Sequence, residues 1–350
     1  MISTRMSWLL FMAVAACGKV QGDDGGDDGG IDAPPGNPIT PPAIAVTQHP
    51  IAGTPIKCTV TTPATGGSGT LSYRAAWSLD SAAFTTTMTS MFMDDTVPGA
   101  QTHTGHTFAC VVTASDGTQM VASTPATTMV DPRFAYLIDQ PSNSLNKIDL
   151  DTQDVTVVGT LGVTFSFGDL GWDVKTQTMY MVDGNSSMSL YKVNLTTGAA
   201  TLVGANNQFV RALGYDPGGD RMFGGTGGGP LLGVNLTNGA MAAIGAAALN
   251  LDSLAFDTVR GRMIGITANV GGGTINAINL VNGTPQSLGG AGPIDNHGLT
   301  YDPVVDRFFA ATFPGEILMY DPVTFTRTNL KSIPGKRFTS IAVAIPLPPP

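Results

Sequence analysis

Leu170-Gly171-Trp172-Asp173, Leu213-Gly214-Tyr215-Asp216, Leu254-Ala255-Phe256-Asp257 and Leu299-Thr300-Tyr301-Asp302 repeat one pattern: apolar, small, aromatic, acidic. The steps between their Asp residues are 43, 41 and 45 residues. Self-similarity at that period marks an architecture built from one repeated supersecondary unit. A second apolar run follows each Asp: Met179-Tyr180-Met181-Val182, Met222-Phe223, Met263-Ile264-Gly265-Ile266 and Phe308-Phe309-Ala310-Ala311. Third and fourth runs flank a Gly turn, as in Leu190 to Leu195, Thr197-Gly198, then Ala199 to Gly204. Asn238-Gly239 and Asn282-Gly283 repeat that turn. Asn-Gly and Thr-Gly between alternating runs predict hairpins. Each unit therefore reads as four short strands.

The ends of the array complete this reading. Residues 134–162 supply only three strands: Phe134 to Asp139, Leu145 to Leu150 and Val155 to Thr160. Ser340-Ile341-Ala342-Val343-Ala344 fits the missing innermost position at the other end of the chain. The expectation is a five-bladed β-propeller over residues 132–345, closed by the C-terminal strand. The array resembles the bacterial propellers of the WD40-like, NHL-like and YVTN groups. Such folds carry many functions, so the resemblance implies architecture and not activity. The repeated Asp173, Asp216, Asp257 and Asp302 each precede a turn, where Asp bonds its own backbone. They read as structural.

Upstream, Trp77 lies between Cys58 and Cys110. Ile56 to Val60 and Thr107 to Thr113 alternate as strands do, and the second runs into Ser115-Asp116-Gly117. The order Cys, Trp, Cys resembles an immunoglobulin-like β-sandwich over residues 43–130. Phe108 stands where antibody domains keep a corner tyrosine. His103 and His106, at i and i+3 in a Thr- and Gly-rich loop, lack the further ligands of a metal site and read as solvated.

Residues 1–16 carry one charge, Arg5, then the apolar run Trp8 to Val14 and two small residues. That is an export signal, too short to remain as a membrane span. Val14-Ala15-Ala16-Cys17 resembles the lipobox of bacterial lipoproteins. The resemblance implies cleavage before Cys17, lipidation of its thiol and anchoring to the membrane. By resemblance to the enteric lipoprotein sorting rule, a residue other than Asp after the Cys, here Gly18, implies the outer membrane. Residues 17–42 hold paired Asp among glycines and then prolines; they read as a disordered tether. Export and the lipidation of Cys17 leave Cys58 and Cys110 as a disulfide pair. Residues 346–350 form a Pro-rich tail.

Of 350 residues, 44 are Gly and only 12% are charged, which suits an all-β chain. The net charge of −9, with no cluster of Lys and Arg, argues against nucleic acid. No nucleophile elbow, phosphate loop or Cys/His metal motif is present, so no catalytic residue, metal or cofactor is expected. A propeller's ligand site is the mouth of its channel. Two residues before each repeated Leu stand Gly168, Arg211, Asp252 and His297, with Thr339 in the fifth unit. Arg211, Asp252 and His297, with Asp169, Asp295 and Asn296, are the candidate ligand-binding residues. Two function classes follow. One is a monomeric extracytoplasmic binding, adhesion or scaffold lipoprotein for a glycan or protein ligand. The alternative is a propeller enzyme, a glycoside hydrolase or lyase acting on an extracellular carbohydrate or peptide. A glycosidase needs two carboxylates about 5–10 Å apart. Only Asp169, Asp252 and Asp295 qualify, and Glu316 is the single Glu, which favours binding.

Overall fold

A computed structural model describes residues 37–85, 94–267, 272–292 and 297–345. The signal segment, Cys17, most of the tether, Asp295, Asn296 and the tail lie outside the described residues, as does the side chain of His297. The chain is all-β, in antiparallel sheets, and none of the sheets closes on itself. No helix among the described residues is long and apolar enough to cross a membrane.

The N-terminal unit holds β1 (Ala43–Val46), β2 (Ile56–Thr62), β3 (Ser72–Leu79), β4 (Ala82–Phe84), β5 (Asp94–Val97), β6 (Thr107–Ser115), β7 (Met120–Ala122) and β8 (Ala126–Met129). One sheet has the order β1-β2-β5; the other runs β4-β3-β6-β7, with β8 also on β6. Burial alternates strictly along β6, with Phe108, Cys110, Val112 and Ala114 inward, as a half-buried strand requires. The Cys58–Cys110 disulfide joins β2 to β6 and so ties the two sheets. Trp77 sits opposite Cys110 in the β3–β6 register and meets Phe108 edge-to-face, 6.5 Å between ring centres. Residues 37–42, read above as the end of the tether, are partly packed. Ile39 is buried in this core and Thr40 N–H donates to the Thr65 carbonyl. Ile39, an aliphatic side chain within a proline run, has apolar surface enough to dock there.

The array continues with β9 (Phe134–Asp139), β10 (Ser144–Asp149), β11 (Val155–Thr160), β12 (Gly168–Asp173), β13 (Thr178–Asp183), β14 (Ser189–Val193) and β15 (Ala200–Ala205). Then come β16 (Val210–Asp216), β17 (Arg221–Val234), β18 (Met241–Asp257), β19 (Arg262–Thr267), β20 (Gly273–Ile278) and β21 (Pro285–Gly292). Last are β22 (His297–Asp302), β23 (Arg307–Thr312), β24 (Glu316–Tyr320), β25 (Arg327–Ser332) and β26 (Phe338–Val343). Strands β12 to β15 and β22 to β25 form four-stranded sheets in chain order. The first sheet has the order β11-β10-β9-β26, so the C-terminal strand pairs with β9. Phe338 and Ile341 are fully buried there, among Leu137, Ile148 and Phe309.

The second and third units depart from four separate strands. They share a six-stranded sheet, β16 to β21, because β18 serves both. Its first part pairs with β17 and its last part with β19. Ala246-Ala247-Ala248-Leu249 offers no turn residue, and the link stays in strand through Asn250. The equivalent link after β15 breaks at Asn207, whose φ is 55°.

The turns follow local chemistry. Gly198, Gly239 and Gly283 hold φ of 82°, 77° and 72° in their hairpins, a region that costs a side chain energy. Each repeated Asp caps its turn. Asp173 Oδ1 accepts from Lys175 and Thr176 N–H, and Asp216 Oδ1 from Gly218 and Gly219 N–H. Asp257 accepts from Arg260 N–H and Asp302 from Val304 N–H. Asp302 has a second task. Its Oδ2 lies 2.7 Å from Arg133 Nε, with the two side chains 0% and 6% exposed. Arg133 also donates to the Ala52 carbonyl, so one buried guanidinium ties the N-terminal unit to the array.

Candidate functional site

Strands β12, β16, β18 and β22, which carry the pattern Leu-x-aromatic-Asp, lie each against the next, and β26 lies against both β22 and β12; the two ends of these strands differ in chemistry. At one end stands Asp169, one residue before Leu170 and fully buried. Its Oδ1 accepts from Leu170 N–H at 2.9 Å and its Oδ2 from Leu213 N–H at 3.1 Å. Leu254 N–H bonds the same carboxylate. A strand with no neighbour on its inner side leaves such N–H groups without a ladder partner. One Asp therefore satisfies two other strands, β16 and β18. Toward the other end of the strands, Thr300 Oγ1 does the same for Val343 N–H at 3.0 Å. Burial pushes the Asp169 carboxyl well above the usual range, against the pull of its N–H donors, and nearby Asp252 pushes it further. Asp252 is itself paired with Arg211, which is 19% exposed and lies over the Phe209 ring. Gly298 marks how tightly this end closes: a Cβ there would stand 2.4 Å from Ile341 N.

Of the residues singled out from the sequence, Asp169, Arg211 and Asp252 are thus brought together. The backbone of His297 opens β22 opposite Thr312, at the same place in its strand. Asp295 and Asn296 directly precede it, outside the described residues.

The other end holds an open cavity of about 160 Å³. Trp172, Tyr215, Phe256, Tyr301 and Val343 line it from the aromatic position of each strand. Val174, Pro217, Thr258, Pro303 and Ile345, two residues further on, complete the rim. Its lining contains no Asp, Glu, His, Lys, Arg or Cys. Polar handles on the rings are already occupied. Trp172 Nε1 donates to the Ile345 carbonyl at 3.2 Å. Tyr215 and Tyr301 donate to Asp220 and Asp306, each at 2.5 Å. Burial, and then the bonded carboxylates, push both phenols far above their ordinary range. The rings therefore present apolar edges and fixed positions, which suits contact with an apolar group and not proton transfer. The recurring aromatic residue was itself the sequence sign of this cavity; read only as part of a fold pattern, it did not single out the site.

In the N-terminal unit, His103 and His106 are exposed loop residues, as expected, and each also meets a carboxylate. Their Nδ1 atoms lie 3.0 Å from Asp151 and 2.5 Å from Asp80. The first pair crosses to the array, where Thr104 N–H also donates to Asp151. No group of three or more His, Cys, Asp or Glu among the described residues is placed to hold a metal.

No family model matches the chain, and no curated protein matches it. Among solved structures it is similar to a chain of a nidogen/laminin complex, at 11% identity and TM-score 0.47, over 61% of this chain and 98% of that one. TolB from Acinetobacter baumannii is similar at 14% identity and TM-score 0.44, over 70% and 80%. An auxiliary nutrient binding protein from Bacteroides ovatus is similar at 9% identity and TM-score 0.37, over 87% and 92%.

Proposed function

We propose that this chain is an extracytoplasmic binding lipoprotein: an immunoglobulin-like module followed by a five-bladed β-propeller that takes its ligand on the propeller axis. The observation that carries the reading is the cavity. It is lined by equivalent residues of five strands, is open to solvent, and offers apolar and aromatic surface with no acid or base. Binding sites are concave and mostly apolar in this way. Two of the three carboxylates that a glycoside hydrolase could use are engaged elsewhere, Asp169 by backbone N–H groups and Asp252 by Arg211; the third, Asp295, lies outside the described residues. A ligand screen read by Trp172 fluorescence, run beside a hydrolysis screen on the same compounds, tests this. Binding without turnover, lost in Val174→Trp at the rim, is the expected result. Turnover would overturn it.

The polar end is a second candidate for ligand contact, through Arg211, Asp252, His297, Asp169, Asp295 and Asn296; loss of binding in Arg211→Ala would assign it. Cys17 lipidation is proposed on the lipobox alone. Cys17→Ser should release the protein from the membrane fraction or block its processing.

A further inference from the structure

One buried layer of the array carries more polar groups than its backbone satisfies. The residue before each repeated Leu, and before Ile341 at the fifth place, is Asp169, Ala212, Ser253, Gly298 and Ser340. These stand on β12, β16, β18, β22 and β26, which touch one another in a closed order. Asp169, Ser253 and Ser340 are each 0% exposed. Side chains at this position aim along the ring of strands. A Cβ on Gly298 would stand 2.5 Å from Ser340 Cα on the next strand. The Asp169 carboxylate accepts from Leu213 N–H on the next strand and from Leu254 N–H on the one beyond. The Ser253 and Ser340 hydroxyls, aimed into the same layer, meet no hydrogen-bond partner among the described residues. Thr339 Oγ1, one residue before Ser340 and 4% exposed, meets none either. A buried hydroxyl without a protein partner costs free energy, and in a native protein it points to a held ion or water.

Charge decides which guest fits. Arg211 pairs with Asp252, and the two charges balance. The groups that bond Asp169 are neutral N–H donors, from Leu170, Leu213 and Leu254. They fill three of the roughly four lone-pair sites of a carboxylate and leave its charge uncompensated. Carboxylate and hydroxyl oxygens are hard donors and suit hard cations. One unit of charge balances Asp169, whereas a divalent ion would leave a positive charge buried. We propose that this layer binds one monovalent cation of sodium size, held by Asp169, Ser253 Oγ and Ser340 Oγ. The ion joins β12, β18 and β26 from inside the ring, beside the Asp169 bonds to β16 and β18. It lies at the far end of the strands from the apolar cavity, and it stands whether or not that cavity takes a ligand.

Thermal melts of the full exported chain at neutral pH test this, in sodium chloride against choline chloride of the same ionic strength. Equal ionic strength keeps charge screening constant, and choline is too large to enter between strands this close. An ion that binds only the folded chain raises the melting temperature with its concentration. The expected rise is about 3–5 °C for each tenfold of sodium above its Kd. Ser253→Ala and Ser340→Ala should each erase that rise. In choline both should melt like the parent or higher, since each removes a hydroxyl that meets no protein partner. Asp169→Asn should erase the rise too, at a lower melting temperature throughout. Equal melting in sodium and choline would overturn the proposal and leave the layer to water or to a proton on Asp169. A rise with calcium chloride and none with sodium would overturn the charge count and the ion it selects. A sodium rise that survives both serine variants would put the ion elsewhere and overturn the site.

Discussion

Arg133→Met removes the buried cation that pairs with Asp302. The pair is almost wholly excluded from water, at 6% and 0% side-chain exposure, with Nε to Oδ2 at 2.7 Å. Burial already pushes the Asp302 carboxyl above its ordinary range, and Arg133 is the largest influence opposing that rise. Breaking a buried pair from one side leaves an uncompensated charge and costs about 3–5 kcal/mol. Net domain stability is only about 5–15 kcal/mol. At a urea m-value of about 2–3 kcal/mol/M the midpoint should fall by roughly 1–2.5 M at pH 7.5. The pH dependence has a definite sign. The folded pKa of Asp302 lies above its unfolded value of about 3.9, and higher still without Arg133. Stability from a raised carboxyl is present in full below the unfolded pKa and is lost as pH rises through the folded one. The deficit of the variant should therefore be small near pH 4.5 and grow toward pH 7.5. Arg133→Met with Asp302→Asn should recover most of it at pH 7.5. Urea unfolding followed by tryptophan fluorescence at the two pH values measures all of this. A deficit under about 1 kcal/mol, or one indifferent to pH, would refute the reasoning.

Deleting residues 338–350 strips Phe338, Ile341 and Val343 from their packing, worth roughly 1.5–3 kcal/mol each. The whole array should lose most of its stability in calorimetry, whereas deleting 18–36 should leave the melting temperature unchanged. Asp169→Leu strands the N–H groups of Leu213 and Leu254, at about 1–3 kcal/mol each. Asp169→Asn should cost less and should flatten the loss of stability that a raised carboxyl imposes as pH rises, seen in melts from pH 4 to 8. Cys58→Ala with Cys110→Ala opens a loop of separation 52, worth about 4 kcal/mol on the chain-entropy argument, and peptide mapping without reductant should recover the linked pair from the parent chain.

Much of this was legible in residues. The period of the Leu-x-aromatic-Asp pattern located the strands, because each unit meets the same packing demand and answers it with the same residue types. The missing strand near residue 134 and the spare one at 340–344 sufficed to pair β26 with β9, since strand pairing follows from counting unsatisfied edges. Asp at the turns was readable because an Asx turn is a local interaction. The Cys58–Cys110 bridge was readable from the cysteine count and the expectation of export.

What lay beyond the sequence depends on distances between residues far apart in the chain. Asp169 looks like a free carboxylate in sequence; only the approach of β16 and β18 makes it a cap for their backbone. His103 gains its partner Asp151 from the docking of two units, and Arg133 its partner Asp302 from a contact across 169 positions of chain. The fused strand β18 arises where an alanine run lacks a turn, a weak local preference that sheet pairing decides. The cavity is of the same kind. Trp172, Tyr215, Phe256 and Tyr301 are identical in pattern, but which end of the axis stays open is set by side-chain volume and close backbone approach, which pairwise pattern does not encode.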